Sequence, residues 1–256
     1  MFYITAFIFG CIWGSFSNVC IYRLPNNRSV VTGRSFCLSC EKKINWYDNI
    51  PLISFILLKA KCRNCSASID IKYFLIELIS GINFLIIFHF FGFTYESLFL
   101  VILNVFFIII YFIDLKHFII PNELTYPLIA LGFLKTFIIK TNFFIFPNYK
   151  DSLIGGVVGY LIIWLIIYLY KRFKNIEGMG LGDAKLLAAI GFWFGWICLP
   201  FILFFSSFIA LLINIPSLIN KTKDLKTKIP FGPYIILGCL IYLIFNDLIT
   251  KLLFLN

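Results

Sequence analysis

The chain has 256 residues, of which 61% are hydrophobic and only 13% are charged, and its net charge at pH 7 is +10. A soluble domain contains about 45–50% apolar and about 25% charged residues, so this composition excludes an ordinary soluble globular protein. The positive charge does not indicate a nucleic-acid partner, because its distribution along the chain follows the pattern of membrane topology. We therefore expect an all-α polytopic membrane protein in contact with membrane lipid, without a nucleic-acid partner.

Eight apolar segments follow one another along the chain, and none has the alternation of polar and apolar residues typical of a membrane β-strand. Several lie near the lower end of the about 17–25 residues that a helix needs to cross a bilayer. The first segment lacks the basic start and small-residue cleavage site of a signal peptide, so we expect it to remain as a span. The segments cover residues 2–19, 73–91, 98–113, 123–139, 152–170, from about 184, 199–218, and from 234 to about 251. The sequence thus predicts about eight transmembrane helices.

The basic residues predict the orientation of these helices. With the N-terminus outside, the inward loops hold 17 of the 22 Lys and Arg residues. Cytoplasmic loops of membrane proteins carry such an excess. The inward loops are then 20–72, 114–122, 171–183 and 220–230.

Residues 20–72 form the one long polar segment, and four cysteines lie within it. Cys37 and Cys40 form one C-x2-C pair, Cys62 and Cys65 form another, and 21 residues separate the pairs. This spacing is close to that of a two-knuckle zinc ribbon, in which four thiolates complete a tetrahedral shell. A cytoplasmic loop disfavours disulfides, so paired redox cysteines are the weaker alternative. We predict a structural Zn²⁺ site here, with Lys61 and Arg63 offsetting part of its negative charge.

Two carboxylates carry the argument about chemistry. Asp183 ends the run Gly178–Asp183, whose three glycines let another chain approach closely, and it lies where the chain passes from water to lipid. An ionisable residue at such a place is usually functional, although a glycine-rich turn with a helix-capping Asp is the plain alternative. Asp114 ends the segment 98–113 and falls on the same predicted face.

Two neighbouring carboxylates can divide the tasks of acid and base. One accepts a proton from water as the water attacks a peptide carbonyl, and the other donates to the carbonyl oxygen. Nearby, Lys185 is expected to support Asp183 electrostatically, and His117 is expected to be an interfacial polar residue. Glu77 lies within an apolar segment and therefore requires a partner.

The flanks of both acids resemble the catalytic motifs of the type IV prepilin peptidases, which are GxGD-type membrane aspartyl proteases. The resemblance covers nearly the whole chain. The residues that carry it are DLKHFIIPN around Asp114, GMGLGD before and including Asp183, GSFSNV at 14–19, YRLP at 22–25, DNIPL at 48–52, Glu77-Leu78, and PFGP at 230–233.

The resemblance implies that Asp114 and Asp183 are catalytic and that the substrates are prepilins, or pseudopilins of type II secretion. It implies a multi-pass protein of the bacterial cytoplasmic membrane with its active site on the cytoplasmic side. The expected domains are helix 1–19, a zinc-binding domain 20–72 and a seven-helix protease domain 73–256. Leu38 and Phe74 depart from the family, which commonly has proline at both positions.

The resemblance also implies a second activity, N-methylation of the new N-terminal residue with S-adenosylmethionine, associated with the four-cysteine domain. The sequence has no convincing glycine-rich loop for this donor, so the residues that bind it are unknown. Two other functions compete with the peptidase. One is a cation- or proton-coupled transporter using the two aspartates as a relay, although no repeat typical of transporters is visible. The other is a zinc-dependent sensor or scaffold, which leaves both acids without a role.

Overall fold

The computed structural model describes residues 2–139, 146–174, 179–219 and 228–254, and within these ranges it is all-helical. Its regular structure there consists of nine α-helices and two short 3₁₀ turns, with two isolated β-bridges and no strand. The helices are α1 (Phe2–Arg23), α2 (Ile53–Leu57), α3 (Ile71–Phe91), α4 (Tyr95–His117), α5 (Asn122–Ile138), α6 (Tyr149–Lys174), α7 (Leu181–Phe194), α8 (Cys198–Ile219) and α9 (Gly232–Phe254). The 3₁₀ turns are Leu24–Asn26 and Trp46–Asn49.

Eight of these helices occupy the eight predicted apolar segments, and α2 was not predicted. Among the described residues, five helices are long and apolar enough to cross a membrane, which makes the chain an integral membrane protein. They are Phe2–Asn26, Ile71–Phe91, Tyr95–His117, Tyr149–Lys174 and Cys198–Ile215. By contrast, α7 has 14 residues and is therefore only about 21 Å long, against a hydrocarbon core of about 30 Å. The all-helical class is confirmed, whereas eight crossings remain a prediction.

The chain divides into two compact units, Met1–Ile109 and Ile110–Asn256, with the division inside α4. In the first unit α1 packs along α3 at very short range. A Cβ added to Gly10 would lie 2.8 Å from the Cα of Gly81, and one added to Gly14 would lie 2.7 Å from the Cα of Glu77. Small residues let helices in lipid approach closely enough to gain dispersion contacts, which explains why glycines face this contact.

The polar segment of the first unit begins with a loop organised by Arg23. The guanidinium group of this buried residue donates to four backbone carbonyl oxygens, those of Ser29, Thr32, Gly33 and Arg34, at 2.9–3.2 Å. A buried cation needs such acceptors, and the loop folds around the side chain to supply them.

The second unit is built on α7, which packs closely against α6. Gly155 and Gly191 meet through their backbones, because a Cβ on either would collide with main-chain atoms of the other. The fully buried indole of Trp193 donates to the Leu128 carbonyl oxygen at 2.8 Å, and Ser152 donates to the Phe192 carbonyl oxygen at 2.7 Å. These contacts fix the short helix α7 against α5 and α6, and α7 carries Asp183 in its first turn.

Candidate active site and metal centre

Asp114 lies in the last turn of α4 and is 4% exposed. The helix runs four residues beyond the predicted segment 98–113 and stops where Phe118 takes a left-handed conformation, with φ 58°. One carboxylate oxygen of Asp114, Oδ2, accepts the backbone N–H of Gly232 at 3.0 Å. A Cβ at position 232 would lie 2.7 Å from this oxygen, so the hydrogen bond in this geometry requires glycine.

Asp183 is the third residue of α7 and is 8% exposed. Its Oδ2 accepts the backbone N–H of Gly180 at 3.2 Å, so the carboxylate caps the start of its own helix. The alternative considered from the sequence, Asp183 as the N-cap residue, is wrong in position, because Gly180 is the N-cap and Asp183 caps the helix from its third residue. Capping leaves Asp183 available for a second role, because this residue also lies close enough to Asp114 to interact with it electrostatically.

Ile120 stands at the point where three predicted motifs meet. A Cβ on Gly182 would lie 3.0 Å from the Cβ of Ile120, and a Cβ on Gly232 would lie 3.0 Å from its Cδ1. The DLKHFIIPN, GMGLGD and PFGP motifs therefore converge, and both acids lie at this convergence. Gly178, the first residue of the second motif, lies outside the described residues.

Lys185 forms a hydrogen bond with a residue other than Asp183, the neighbour it was expected to support. Its Nζ donates to Oδ1 of Asn122 at 2.7 Å and lies 5.0 Å from the centre of the Tyr126 ring. The side chain thus ties the start of α7 to the start of α5. Sequence reasoning missed Asn122 as its partner, although this residue is the last of the DLKHFIIPN motif.

Glu77 has the partner that its position required, and this partner is backbone. The buried carboxylate accepts the N–H of Leu52 at 2.9 Å. Leu52 belongs to the DNIPL motif, so two motifs that resembled the family independently are in direct contact. Both lie in the first unit.

The four cysteines of the tetrad form one cluster. Their Sγ atoms all lie within 4.8 Å of one another, and Cys37 and Cys65 are 3.8 Å apart. A tetrahedral shell with Zn–S bonds of about 2.3 Å places its sulfur atoms about 3.8 Å from one another. The donor set and its dimensions therefore fit a Zn²⁺ ion.

The two C-x2-C pairs lie on knuckles of the same backbone geometry. In the first knuckle Cys37 donates to Lys42 O and accepts from the Glu41 N–H, while in the second Cys62 donates to Ala67 O and accepts from the Ser66 N–H. The residue after each pair, Glu41 or Ser66, has φ 59°, which turns the chain back around the thiols. The N–H groups of Cys40 and Ser39 lower the pKa of the Cys37 thiol to about 6, which favours the thiolate form that binds metal.

Arg63 lies between the second pair of cysteines but pairs with Asp48. Its Nε and Nη2 donate to the Asp48 carboxylate at 2.7–3.0 Å, which raises the pKa of the guanidinium group. The predicted interaction with the thiolates is thus replaced by a bidentate pair. This pair fastens the second knuckle to the 3₁₀ turn Trp46–Asn49.

The described features define a polytopic helical membrane protein with a buried acid pair and a cluster of four thiols in its long polar segment. The chain belongs to the family of prepilin leader peptidases. Residues 101–215, which include both acids, match the model of the type IV leader peptidase family. Residues 8–91, which include the four cysteines, match the bacterial peptidase A24 N-terminal domain.

Its relatives are named prepilin leader peptidase/N-methyltransferase. One from Stutzerimonas stutzeri is 34% identical over 97% of this chain and 92% of its own length. Another from Pseudomonas aeruginosa is 32% identical over 98% and 92%, and one from Vibrio cholerae is 36% identical over 91% and 93%. No solved structure matches the chain significantly. The family resemblance is confirmed, and the transporter alternative has no support.

Proposed function

We propose that this protein cleaves the leader of type IV prepilins or pseudopilins, with Asp114 and Asp183 as its two catalytic acids. The observation that carries the assignment is the convergence of both buried carboxylates around Ile120. Both acids lie within residues 101–215, which match the type IV leader peptidase family.

The proposed reaction is hydrolysis of one peptide bond by water. One carboxylate takes a proton from the water as its oxygen bonds to the carbonyl carbon, and the other carboxyl donates to the carbonyl oxygen. The C–N bond of the tetrahedral intermediate then breaks. The leader leaves with a new carboxyl group, and the mature chain receives a proton on its new amine.

The backbone donors orient the two carboxylates for this work. The N–H of Gly232 holds one oxygen of Asp114, and the N–H of Gly180 holds one oxygen of Asp183. In this proposal the second oxygen of each acid takes part in the reaction with water and substrate. Fixing the reacting groups in advance reduces the entropy and reorganisation that the reaction would otherwise cost.

We infer from the Lys and Arg distribution that the acids work at the cytoplasmic face of the bacterial inner membrane. Eight helices, α1 and α3 to α9, are proposed to span the bilayer, with a zinc-binding domain at 20–72 and the seven-helix protease domain at 73–256. A short leader on the cytoplasmic side, followed by an apolar helix, would place its cleavage site at this depth.

In this proposal Cys37, Cys40, Cys62 and Cys65 hold a structural Zn²⁺, which holds the two knuckles together. N-methylation of the new N-terminus follows from the name of the relatives, with S-adenosylmethionine as the proposed donor. The groove of about 480 Å³ between α1 and residues 49–51 does not fit this charged donor, because apolar side chains line most of it.

The test of the acid pair is cleavage of a purified prepilin by the purified protein in vesicles. Asp114→Asn and Asp183→Asn should each reduce cleavage to background, because an amide can act as neither acid nor base. Asp151→Asn serves as the matched control, since its carboxylate lies on the first turn of α6 and accepts from Trp196. Near wild-type cleavage by either of the first two variants would remove that residue from the mechanism.

The two activities should separate in variants of the cysteine cluster. Cys37→Ser or Cys62→Ser is expected to retain measurable cleavage while losing more of the methylation, since the acids lie in the other unit. Mass spectrometry of the product measures both, because methylation adds one CH₂, about 14 Da, to the N-terminus. Equal loss of both activities would make the cysteine domain a structural part of the protease.

A further inference from the structure

The short helix α2 exposes a row of large apolar side chains with no cover in its own unit. Ile53, Ile56 and Leu57 are 54%, 63% and 75% exposed. On its opposite side, Ser54 donates to the Tyr47 carbonyl oxygen at 2.9 Å, and the ring of Phe55 lies 5.2 Å from that of Phe74. One side of α2 is therefore fixed to the first unit, and the other side needs an apolar surrounding.

The contact between Leu52 and Glu77 shows how deep α2 lies along α3. With 21 residues, α3 is about 31 Å long, which matches a hydrocarbon core of about 30 Å. Glu77 comes six residues after the start of α3, so its Cα lies about 9 Å inside that boundary. Its carboxylate accepts the Leu52 N–H at 2.9 Å. The residue directly before α2 is thus held at the depth of lipid acyl chains.

Contacts with α1 give the same depth independently. Asn49, Ile50 and Pro51 line a groove together with residues of α1, namely Ile12, Ser15, Phe16 and Val19. Ser15 precedes the end of α1 at Arg23 by eight residues, which is about 12 Å along the helix. Both spanning helices therefore place residues 49–52 inside the boundary, beside lipid-facing side chains of α1.

The backbone around α2 is suited to entering and leaving an apolar layer. A free N–H group inside a bilayer costs several kcal/mol, and the carboxylate of Glu77 satisfies that of Leu52. Leu52 has φ 61° where the chain enters α2, and Lys59 and Ala60 have φ 50° and 56° where it leaves. Exposed Lys59 lies in this exit from α2 and exposed Lys61 follows it, as basic residues do at the level of lipid headgroups.

We propose that residues 50–57 form a re-entrant loop that inserts the exposed side of α2 into the acyl-chain region of the bilayer. The partner is lipid, because the residues just before α2 line a groove with exposed Ile12 and Phe16 of the spanning helix α1. Glu77 holds the inserted backbone in place by accepting the Leu52 N–H.

The test is photocrosslinking of the full-length protein in phosphatidylethanolamine/phosphatidylglycerol vesicles. A benzophenone amino acid replaces Ile56 in one variant and Leu57 in a second. Leu38 is the matched control, since it is 55% exposed but lies in the first cysteine knuckle. Positions 56 and 57 should attach to lipid acyl chains at least tenfold more than position 38. Yields equal to that of position 38, or crosslinks to a second copy of the chain, would overturn the proposal.

Substitution of Glu77 provides a second measurement. Glu77→Ala should reduce lipid crosslinking from position 56 severalfold. The Leu52 N–H then loses its acceptor and is more stable where water can accept its hydrogen bond. Glu77→Gln keeps an acceptor oxygen and should retain the crosslinking. If Glu77→Ala and Glu77→Gln give the same yield as wild type, Glu77 does not hold the loop in the membrane.

Discussion

Replacing Gly232 by alanine tests whether the position of the Asp114 carboxylate controls peptide cleavage. The new Cβ would lie 2.7 Å from Oδ2 of Asp114, whereas ordinary contact begins at 3.4 Å. The carboxylate or the start of α9 must then move by about 0.7 Å, the difference between these distances. The same Cβ would lie 3.0 Å from Cδ1 of Ile120, which restricts movement in that direction. Because a displacement of about 1 Å can cost 10²-fold in rate, we expect cleavage to fall roughly 10- to 100-fold.

The assay compares initial cleavage rates of a purified prepilin by Gly232→Ala and by a matched variant, Gly180→Ala. Gly180 also donates its N–H to a proposed catalytic acid, yet a Cβ there would meet Asp183 Oδ2 at an ordinary 3.7 Å. Its backbone has φ −89°, which alanine adopts freely. Gly180→Ala should therefore stay within about threefold of wild type. Equal activity of the two variants would refute the argument that close packing at Gly232 positions Asp114.

Two further predictions concern the metal and the packing of α7. Elemental analysis should find one Zn²⁺ per chain, and a chelator should increase proteolysis within residues 20–72, since structural zinc contributes folding energy directly; purified protein without zinc would contradict the site. Gly191→Ala should lower the stability by about 1–3 kcal/mol, because its Cβ would collide with the backbone of Gly155 and separate α6 from α7. Thermal unfolding measures this loss, with Gly180→Ala as the control, and an unchanged midpoint would contradict the packing.

The sequence by itself predicted what depends on local composition and spacing. Apolar runs located the helices α1 and α3 to α9, because a chain in lipid must satisfy its backbone hydrogen bonds within each segment. The two C-x2-C pairs predicted the four-thiol cluster for a similar reason, since two-residue gaps already bring both thiols of a pair to one side of a turn. The family motifs around Asp114 and Asp183 named the chemistry and its candidate residues.

Only the tertiary structure decided which partners these residues have. Asn122 holds Lys185, and Asp48 holds Arg63, although sequence proximity favoured other partners in both cases. The helix α2 escaped prediction because five residues are too few to show a helical period. Asp114 and Asp183 are about seventy residues apart, and no local rule sets the distance between them. Close contacts of Gly182 and Gly232 with Ile120 set it, because side-chain volume determines how near two helix ends can approach.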